Sequence, residues 1–290
     1  MDLPAGPLAE RPARLLLSLM HLRPAEPVCA VGDGEVQVPR LVPAAPPEDG
    51  PSSTCRPDGT YLITGGLGVL GLLVAEHLAQ RGARRIVLAG RTAMPARTDW
   101  ADDDRRVQAL RRLEAGGVSV HTIACDITDL TATRSALAAL RLPAVRVVVH
   151  AAGTEHSALL HRLDETRLRE VMRPKVDGAL VLHQIFPPGS TDFHVLFSSA
   201  GPLLGLPGQA AYAAANAYLD ALTAHRRAGG HRETVSMAWT SWHGMGMATA
   251  AQATDVELAA RGAPPTSIPT RRCGPSTRPR WVPRAGSSPS

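Results

Sequence analysis

A serine and a tyrosine thirteen residues apart carry the clearest chemical signal in this chain. Ser199 follows the apolar, strand-like segment 193–197, and Tyr212 opens a Tyr-x-x-x-Asn run in an alanine-rich segment with high helix propensity. Taken alone, such a serine is commonly a cap and such a tyrosine commonly only packs. Together, a hydroxyl at a strand's carboxyl end and a phenol on the next helix can converge on one carbonyl oxygen. The pair therefore predicts a site that holds and protonates a ketone while hydride arrives from another group.

Alternating apolar and helical segments must position this pair. The apolar runs are residues 61–64, 85–89, 120–124, 145–152, 193–197 and 234–239. The helical segments are residues 69–81, 105–116, 129–140, 164–185 and 209–228. This alternation predicts an α/β fold, a Rossmann-like doubly wound parallel sheet with strand order 3-2-1-4-5-6.

A short N-terminal extension precedes this alternation. Residues 13–22 favour a helix, and residues 28–31 and 35–38 favour a pair of strands around a turn at residues 32–34. A proline-rich linker then leads to the predicted catalytic domain, residues 58–262.

The tail, residues 263–290, differs in composition from the rest of the chain. Seven prolines and almost no aliphatic residues lie there, so the tail buries too little apolar surface to offset its ordering entropy, and we expect disorder. Six of the 31 basic residues and no acidic residue lie in residues 261–290, which leaves 25 basic against 26 acidic residues elsewhere. Because the net charge of +5 belongs to this tail, and no aromatic run is interleaved with it, the composition argues against a nucleic-acid partner.

Other classes of protein are disfavoured by what the chain lacks. No apolar run approaches the roughly 20 residues that span a bilayer. The four cysteines are scattered without C-x-x-C spacing, and the histidines form no H-x-H or H-E-x-x-H motif. We therefore expect no membrane span, no metal site and no disulfide framework, in a reducing, cytoplasmic setting.

A glycine-rich run follows the first strand and opens a helix. Glycines let the backbone approach a pyrophosphate, and the helix N-terminus offers unpaired N–H groups. A lone glycine run is as often a structural turn, but the strand before it and the helix after it favour a dinucleotide site. The predicted contacts are Thr64, Gly65, Gly66, Leu67, Gly68, Leu70 and Gly71.

Three further strand ends complete the predicted cofactor site. Arg91 follows the second strand, where NAD-binding folds place an acidic residue, so it suits the 2′-phosphate of NADP(H); a solvated surface arginine is the alternative. Residues at the ends of the third and fourth strands are predicted to bracket the adenine and to lie against the ribose, although such residues are also common turn formers. They are Asp126, Ile127, Ala151, Ala152 and Gly153.

The chain resembles the ketoreductase domain of modular type I polyketide synthases, a branch of the short-chain dehydrogenase/reductase superfamily. The resemblance rests on TYLITGGLGVLG, LAGRT, HAAG, VMRPKVDGALVLHQ, FSSAG, GQAAYAAANAYLDAL and VSMAWTSWHGMGM. Most members of the superfamily carry a lysine four residues after the tyrosine. Here that position is Asn216, and the only lysine, Lys175, lies 24 residues before Ser199. The resemblance covers about residues 58–260, is most similar to actinobacterial synthases, and makes residues 1–57 a linker or the remnant of a structural subdomain.

The resemblance implies NADPH-dependent reduction of a β-ketoacyl thioester to the β-hydroxyacyl thioester, in polyketide or fatty-acid-like biosynthesis. The substrate would be carried on the phosphopantetheine arm of an acyl carrier protein, with other polyketide synthase domains as partners. Tyr212 would protonate the carbonyl oxygen and Ser199 would hydrogen-bond it. Lys175 would stabilise the phenolate, and Asn216 would orient the site or relay protons.

The family's substrate-facing positions differ here. Residues 155–157 read Glu-His-Ser where many members have Leu-Asp-Asp, and Leu204 stands where many have tryptophan, so the resemblance assigns neither hydroxyl configuration. Leu204 and Trp242 are the implied substrate contacts, Trp242 as part of a lid. Trp239 suits the lid and the core equally.

The C-terminal tail is the largest departure from the family. Members continue past Glu-Leu-Ala-Ala-Arg-Gly with a helix and a last strand, whereas here the proline- and arginine-rich tail follows. This favours an out-of-frame reading or a truncated fragment with an exposed sheet edge. The alternative function is therefore an inactive ketoreductase fragment without turnover of its own.

Overall fold

The computed structural model describes residues 14, 30–32, 35–37, 55–156, 158–204 and 208–240. These residues fall into two compact units. In the smaller unit, β1 (Ala30–Gly32) pairs antiparallel with β2 (Glu35–Gln37). The predicted strand pair is confirmed, but Gly32 belongs to the first strand, not to the turn. The predicted helix lies outside the described residues except for residue 14, and so does the predicted C-terminal tail.

A six-stranded parallel sheet forms the centre of the larger unit. The strands are β3 (Thr60–Thr64), β4 (Arg85–Gly90), β5 (Ser119–Ala124), β6 (Val145–His150), β7 (Phe193–Ser199) and β8 (Thr234–Trp239). Their spatial order is β5-β4-β3-β6-β7-β8, which confirms the predicted doubly wound topology. The strand order reverses between β3 and β6, and the carboxyl ends of strands at such a point form a crevice that binds ligands.

Six α-helices connect or flank these strands among the described residues. They are α1 (Val69–Gln80), α2 (Arg105–Ala115), α3 (Leu130–Ala139), α4 (Glu165–Ile185), α5 (Gly201–Leu204) and α6 (Ala210–Ala228). Aspartate side chains cap α2, α3 and α4, whereas Gly68 at the start of α1 supplies no side-chain cap. The N-terminus of α1 therefore keeps its free N–H donors for a ligand. None of the helices in the described part of the chain combines the length and apolarity needed to cross a membrane.

The two faces of the sheet carry separate hydrophobic cores. On β3, Tyr61 and Ile63 belong to the cluster on one face, and Leu62 belongs to the cluster on the other. All five residues of β3 are buried. Because a parallel strand covered on both faces needs apolar residues throughout, it appears in the sequence as a continuous apolar run.

Two buried histidines should make the fold sensitive to acid. Burial lowers the pKa of His150 on β6 and of His194 on β7 from 6.5 to about 3. Since the unfolded chain takes up these protons first, stability is full above pH 6.5 and is lost as pH falls toward 3, by about 1.4 kcal/mol per pH unit for each histidine. Urea unfolding at pH 7 and pH 5 measures this loss.

The matched variants separate this effect from a general acid sensitivity. His194→Gln should reduce the pH dependence, and His161→Gln, at an exposed position, should leave it unchanged. A free energy of unfolding that does not change between pH 7 and pH 5 would contradict the prediction.

Candidate active site

The predicted catalytic residues come from three elements at one end of the sheet. Ser199 is the last residue of β7, Tyr212 lies in the first turn of α6, and Lys175 lies in the middle of α4. The Lys175 ammonium lies 5.4 Å from the centroid of the Tyr212 ring. The Ser199 hydroxyl accepts a hydrogen bond from the N–H of Gly201 at 3.1 Å, which holds it at the start of α5. The fold thus brings together a phenol and an ammonium that are 37 residues apart in sequence.

Lys175 is almost completely buried, with 3% of its surface exposed. Its ammonium donates to the carbonyl oxygen of Phe197 at 2.7 Å. Burial lowers the pKa of Lys175 to about 8, because desolvation penalises the charged form. A Cβ at Gly153 would lie 3.0 Å from Lys175 Cε, so this glycine provides room for the lysine side chain.

A proline inside α4 shapes the helix directly before this lysine. Pro174 has no N–H, which leaves the carbonyl of Glu170 without its helical donor. The Thr154 hydroxyl supplies the missing donor at 3.1 Å. The loop after β6 is therefore attached to the helix that carries Lys175.

Tyr212 is half-buried beside an acidic side chain. Burial and the nearby Glu155 carboxylate raise the pKa of Tyr212, and a side-chain hydrogen bond with Asn216 acts in the opposite direction. Gln209 Nε2 donates to Glu155 Oε1 at 3.1 Å, and Ala158 N donates to the Gly208 carbonyl at 2.8 Å. These contacts join the loop after β6 to the start of α6.

Asn216 lies one helical turn after the tyrosine and is completely buried. Its Nδ2 donates to the Tyr212 carbonyl at 2.7 Å. Its Oδ1 has no hydrogen-bond partner among the described residues. An unpaired buried acceptor is costly, so this oxygen is available for a donor that enters the site.

His150 connects the glycine-rich loop to the helix of the lysine. Its Nδ1 lies 2.7 Å from the Thr64 hydroxyl, and its Nε2 lies 3.3 Å from the Lys175 carbonyl. The ring is neutral because burial lowers its pKa. Since the carbonyl only accepts, Nε2 carries the proton and Thr64 donates to Nδ1. One buried ring thus ties the nucleotide loop to the proton-transfer residues.

The glycine-rich loop is packed too closely for side chains. A Cβ would lie 2.8 Å from the Ala151 carbonyl at Gly65, 2.8 Å from the backbone of Leu88 at Gly66, and 2.3 Å from the Gly65 carbonyl at Gly71. Gly65 also has a φ of 65°, in the left-handed region that glycine favours. Leu67 and Leu70 pack against the core below the loop.

The loop also contacts the end of β6. Ala151 N donates to the Thr64 carbonyl at 3.2 Å, and Ala152 N lies 3.4 Å from the Thr64 hydroxyl. The predicted residues of the glycine-rich loop and of the HAAG segment therefore meet at the point where the strand order reverses.

The ends of β4 and β5 present charged groups to the same edge. Arg91 is exposed directly after β4. Hydrogen bonds from Thr128 lower the pKa of Asp126, and Arg173 and Arg91 add to this effect. Arg173 lies 3.7 Å from the Asp126 carboxylate. The Ile127 side chain is buried in the core, so the backbone is the part of Ile127 that remains for cofactor contact.

The predicted substrate contacts are only partly within the described structure. Leu204 ends α5, but its side chain and all of Trp242 lie outside the described residues. Trp239 packs against Phe197, with ring centroids 5.4 Å apart and planes at 57°. Trp239 therefore belongs to the core.

The family assignment follows from comparison with known proteins. Residues 59–244, more than half of the chain, match the family described as KR domain. The chain belongs to the ketoreductase (KR) domain family. Its six-stranded sheet is the Rossmann-like sheet of short-chain dehydrogenases/reductases, and membership in this class makes it an oxidoreductase that uses a nicotinamide cofactor.

Relatives of this KR domain are much longer proteins. 5-Methyl-1-naphthoate synthase of Streptomyces sahachiroi is 44% identical over 270 residues, which cover 90% of this chain and 15% of that protein. The 6-methylsalicylic acid synthase of Penicillium expansum is 42% identical over 265 residues, which cover 87% of this chain and 15% of that protein. The phenolphthiocerol/phthiocerol polyketide synthase of Mycobacterium tuberculosis includes a polypeptide that is 44% identical over 255 residues, which cover 85% of this chain and 14% of that polypeptide. The chain thus spans about one-seventh of the length of these relatives.

A solved ketoreductase shares the fold. The ketoreductase from the first module of phoslactomycin biosynthesis in Streptomyces sp. HK803 superimposes with a TM-score of 0.68 at 36% identity. The match covers 90% of this chain and 57% of that one.

Two residues of the KR site were not predicted from the sequence. Glu155 stands out there only as a departure from Leu-Asp-Asp, and Gln209 does not stand out at all. Their hydrogen bond joins loops that are 54 residues apart, and neither loop has a periodic pattern that would reveal the contact.

Proposed function

We propose that this KR domain reduces a β-ketoacyl thioester to the β-hydroxyacyl thioester with NADPH. The observation that carries the proposal is the buried Lys175 ammonium 5.4 Å from the Tyr212 ring, with Ser199 at the end of the neighbouring strand. A phenol and a cation in this arrangement suit the protonation of an oxygen that gains negative charge. The substrate's carrier is proposed to be an acyl carrier protein, and other polyketide synthase domains are proposed partners.

The proton step is assigned to Tyr212. Its hydroxyl donates to the carbonyl oxygen as negative charge develops there, and the Ser199 hydroxyl donates to the same oxygen. Burial and Glu155 raise the pKa of Tyr212, so the phenol is protonated and ready to donate at neutral pH. Lys175 then stabilises the phenolate that remains. Asn216 Oδ1 accepts a donor that brings the replacement proton.

The chain's own residues suit a dinucleotide phosphate. The close-packed glycines and the uncapped N-terminus of α1 form a backbone cradle, and Arg91 offers a cation beyond β4. NADPH, when bound there, supplies the hydride for the β-carbon. Thr64 and the Ala151-to-Gly153 segment would lie along its ribose, with Asp126 and the backbone of Ile127 at the adenine.

Arg91 should determine the choice between the two nicotinamide dinucleotides. We expect Arg91→Ala to raise KM for NADPH by about 10- to 100-fold, because a charge-assisted hydrogen bond contributes about 1.5–3 kcal/mol, and to change KM for NADH little. Steady-state kinetics with both dinucleotides measure this. Arg134→Ala, at an exposed position of α3, is the matched control. An equal rise in both KM values would contradict the assignment.

The proposed reaction has a simple test. The purified chain, NADPH and a β-ketoacyl N-acetylcysteamine thioester should consume NADPH and form the β-hydroxyacyl product. The alternative, an inactive fragment, predicts no consumption even when NADPH raises the melting temperature. That outcome would overturn the proposed activity and retain the cofactor site.

A further inference from the structure

A polar stripe extends along α6 below the tyrosine. Tyr212, Asn216 and Asp220 are spaced by four residues, so they lie on one face of the helix. This face packs toward β7 and β8, where Asn216 is completely buried and Asp220 is partly buried. A buried carboxylate requires hydrogen bonds or an opposite charge, so the partners of Asp220 indicate its role.

Hydroxyl groups from two adjacent strands hold Asp220. Ser236 on β8 donates a hydrogen bond to Asp220 Oδ1. Ser236 is in register with Leu196, so Ser236 and Ser198 lie on the same face of the sheet. The Ser198 hydroxyl donates to the Asn216 carbonyl at 3.2 Å and also lies within hydrogen-bonding reach of the Asp220 carboxylate. These contacts orient the carboxylate and favour its ionised form.

The same strand connects Asp220 to the lysine. The Lys175 ammonium donates to the Phe197 carbonyl, and the next residue is Ser198. Lys175 and Asp220 therefore approach the end of β7 from α4 and α6, which pack beside each other. The negative charge of Asp220 favours the charged form of Lys175, against the effect of burial.

Several titratable groups lie on the elements around Lys175. They are His150 on β6, Arg173 and Asp177 on α4, Tyr212 and Asp220 on α6, and Glu155 in the loop after β6. His150 is neutral because of burial, and Arg173 pairs with Asp177 at 3.6 Å. Glu155 acts on Tyr212. Among the described residues, Asp220 is the acidic group that acts on the lysine.

We propose that Asp220 is a positioning residue that keeps Lys175 protonated beneath Tyr212. The proposed role in turnover rests on the proposed reductase function, whereas the electrostatic effect on Lys175 does not. Asp220 is assigned no contact with substrate or cofactor. It acts through the lysine, and its anchors are the hydroxyls of Ser198 and Ser236.

The chain's single lysine allows a direct test. Labelling the full chain with ¹³C-lysine gives one lysine spin system, and its pH titration by NMR reports Lys175 alone. Asp220→Asn should lower the titration midpoint by about one pH unit, because an opposite charge at short range shifts a pKa by at least that amount. Asp177→Asn removes an aspartate from α4 itself and should leave the midpoint unchanged. A midpoint for Asp220→Asn equal to that of the wild type would overturn the proposal.

Further variants separate charge from packing. Asp220→Ser removes the same charge and keeps a polar group beside Ser236, so it should give the same downward shift. Asp220→Glu keeps the charge and should restore the wild-type midpoint. An unchanged midpoint in Asp220→Ser would also overturn the proposal, even where Asp220→Asn does not fold.

Kinetics provide the second readout. With a β-ketoacyl thioester and NADPH, the alkaline limb of the rate profile should move to lower pH in Asp220→Asn, while the rate near pH 6 is retained. An unmoved alkaline limb in an active Asp220→Asn enzyme would contradict the role in turnover. Absence of turnover in the wild type would refute the proposed reductase function and leave the NMR result as the test of Asp220.

Discussion

Replacing Tyr212 with phenylalanine should lower kcat for β-ketoacyl thioester reduction by about 10²- to 10⁴-fold, the usual contribution of a positioned general acid. The ring and its packing against α4 remain, so the melting temperature and its rise with NADPH should be retained. The loss should therefore appear in kcat rather than in cofactor binding. Steady-state kinetics and thermal melts on the same preparation measure both quantities.

Tyr218→Phe is the matched control for this variant. Tyr218 lies on the same helix, is partly buried against a separate hydrophobic cluster, and loses the same hydroxyl. Its kcat should stay within about twofold of the wild type, because no reacting atom is assigned to it. Equal activity of Tyr212→Phe and Tyr218→Phe would remove Tyr212 from the proton step.

Replacing Lys175 with methionine should lower kcat by about 10²-fold. A cation 5.4 Å from the ring stabilises a phenolate by about 3 kcal/mol at an effective dielectric constant of 20. Methionine fills similar space without the charge. Since burial of the ammonium is itself unfavourable, the melting temperature should not fall in proportion to the activity.

An exposed position supplies the control for the loss of charge. Arg169→Met also removes a cation from α4, but its guanidinium is 73% exposed and pairs with Glu165, so activity should not change. Wild-type kcat in Lys175→Met would contradict the assigned role of the lysine.

The sheet was predictable because its strands are buried on both faces. Runs such as residues 85–89 are continuously apolar, and the observed β4 is Arg85–Gly90. The short helix α5 was not predicted, since four residues beginning with Gly-Pro have no periodic pattern. The first strand of the smaller unit ends one residue later than predicted, because a glycine next to a tight turn suits either strand or turn.

The site was predictable to the extent that its residues form local motifs. Ser199 and Tyr212 lie on adjacent elements, and the glycine-rich run is contiguous. The proximity of Lys175 rested on a family resemblance, because nothing local connects it to a tyrosine 37 residues away. Asp220 has the same spacing as any polar residue on an amphipathic helix. Only the pairing of β7 with β8 shows that two serines and a lysine surround it.

Isotope transfer separates the proposed hydride and proton steps from any other consumption of NADPH. The purified chain is incubated with a β-ketoacyl N-acetylcysteamine thioester and NADPH that carries two deuterons at the nicotinamide C4, and the product is analysed by mass spectrometry and NMR. The proposed mechanism predicts a β-hydroxyacyl thioester with one deuteron on the β-carbon, and loss of this product in Tyr212→Phe. Consumption of NADPH without label on that carbon, or labelled product undiminished in Tyr212→Phe, would contradict it.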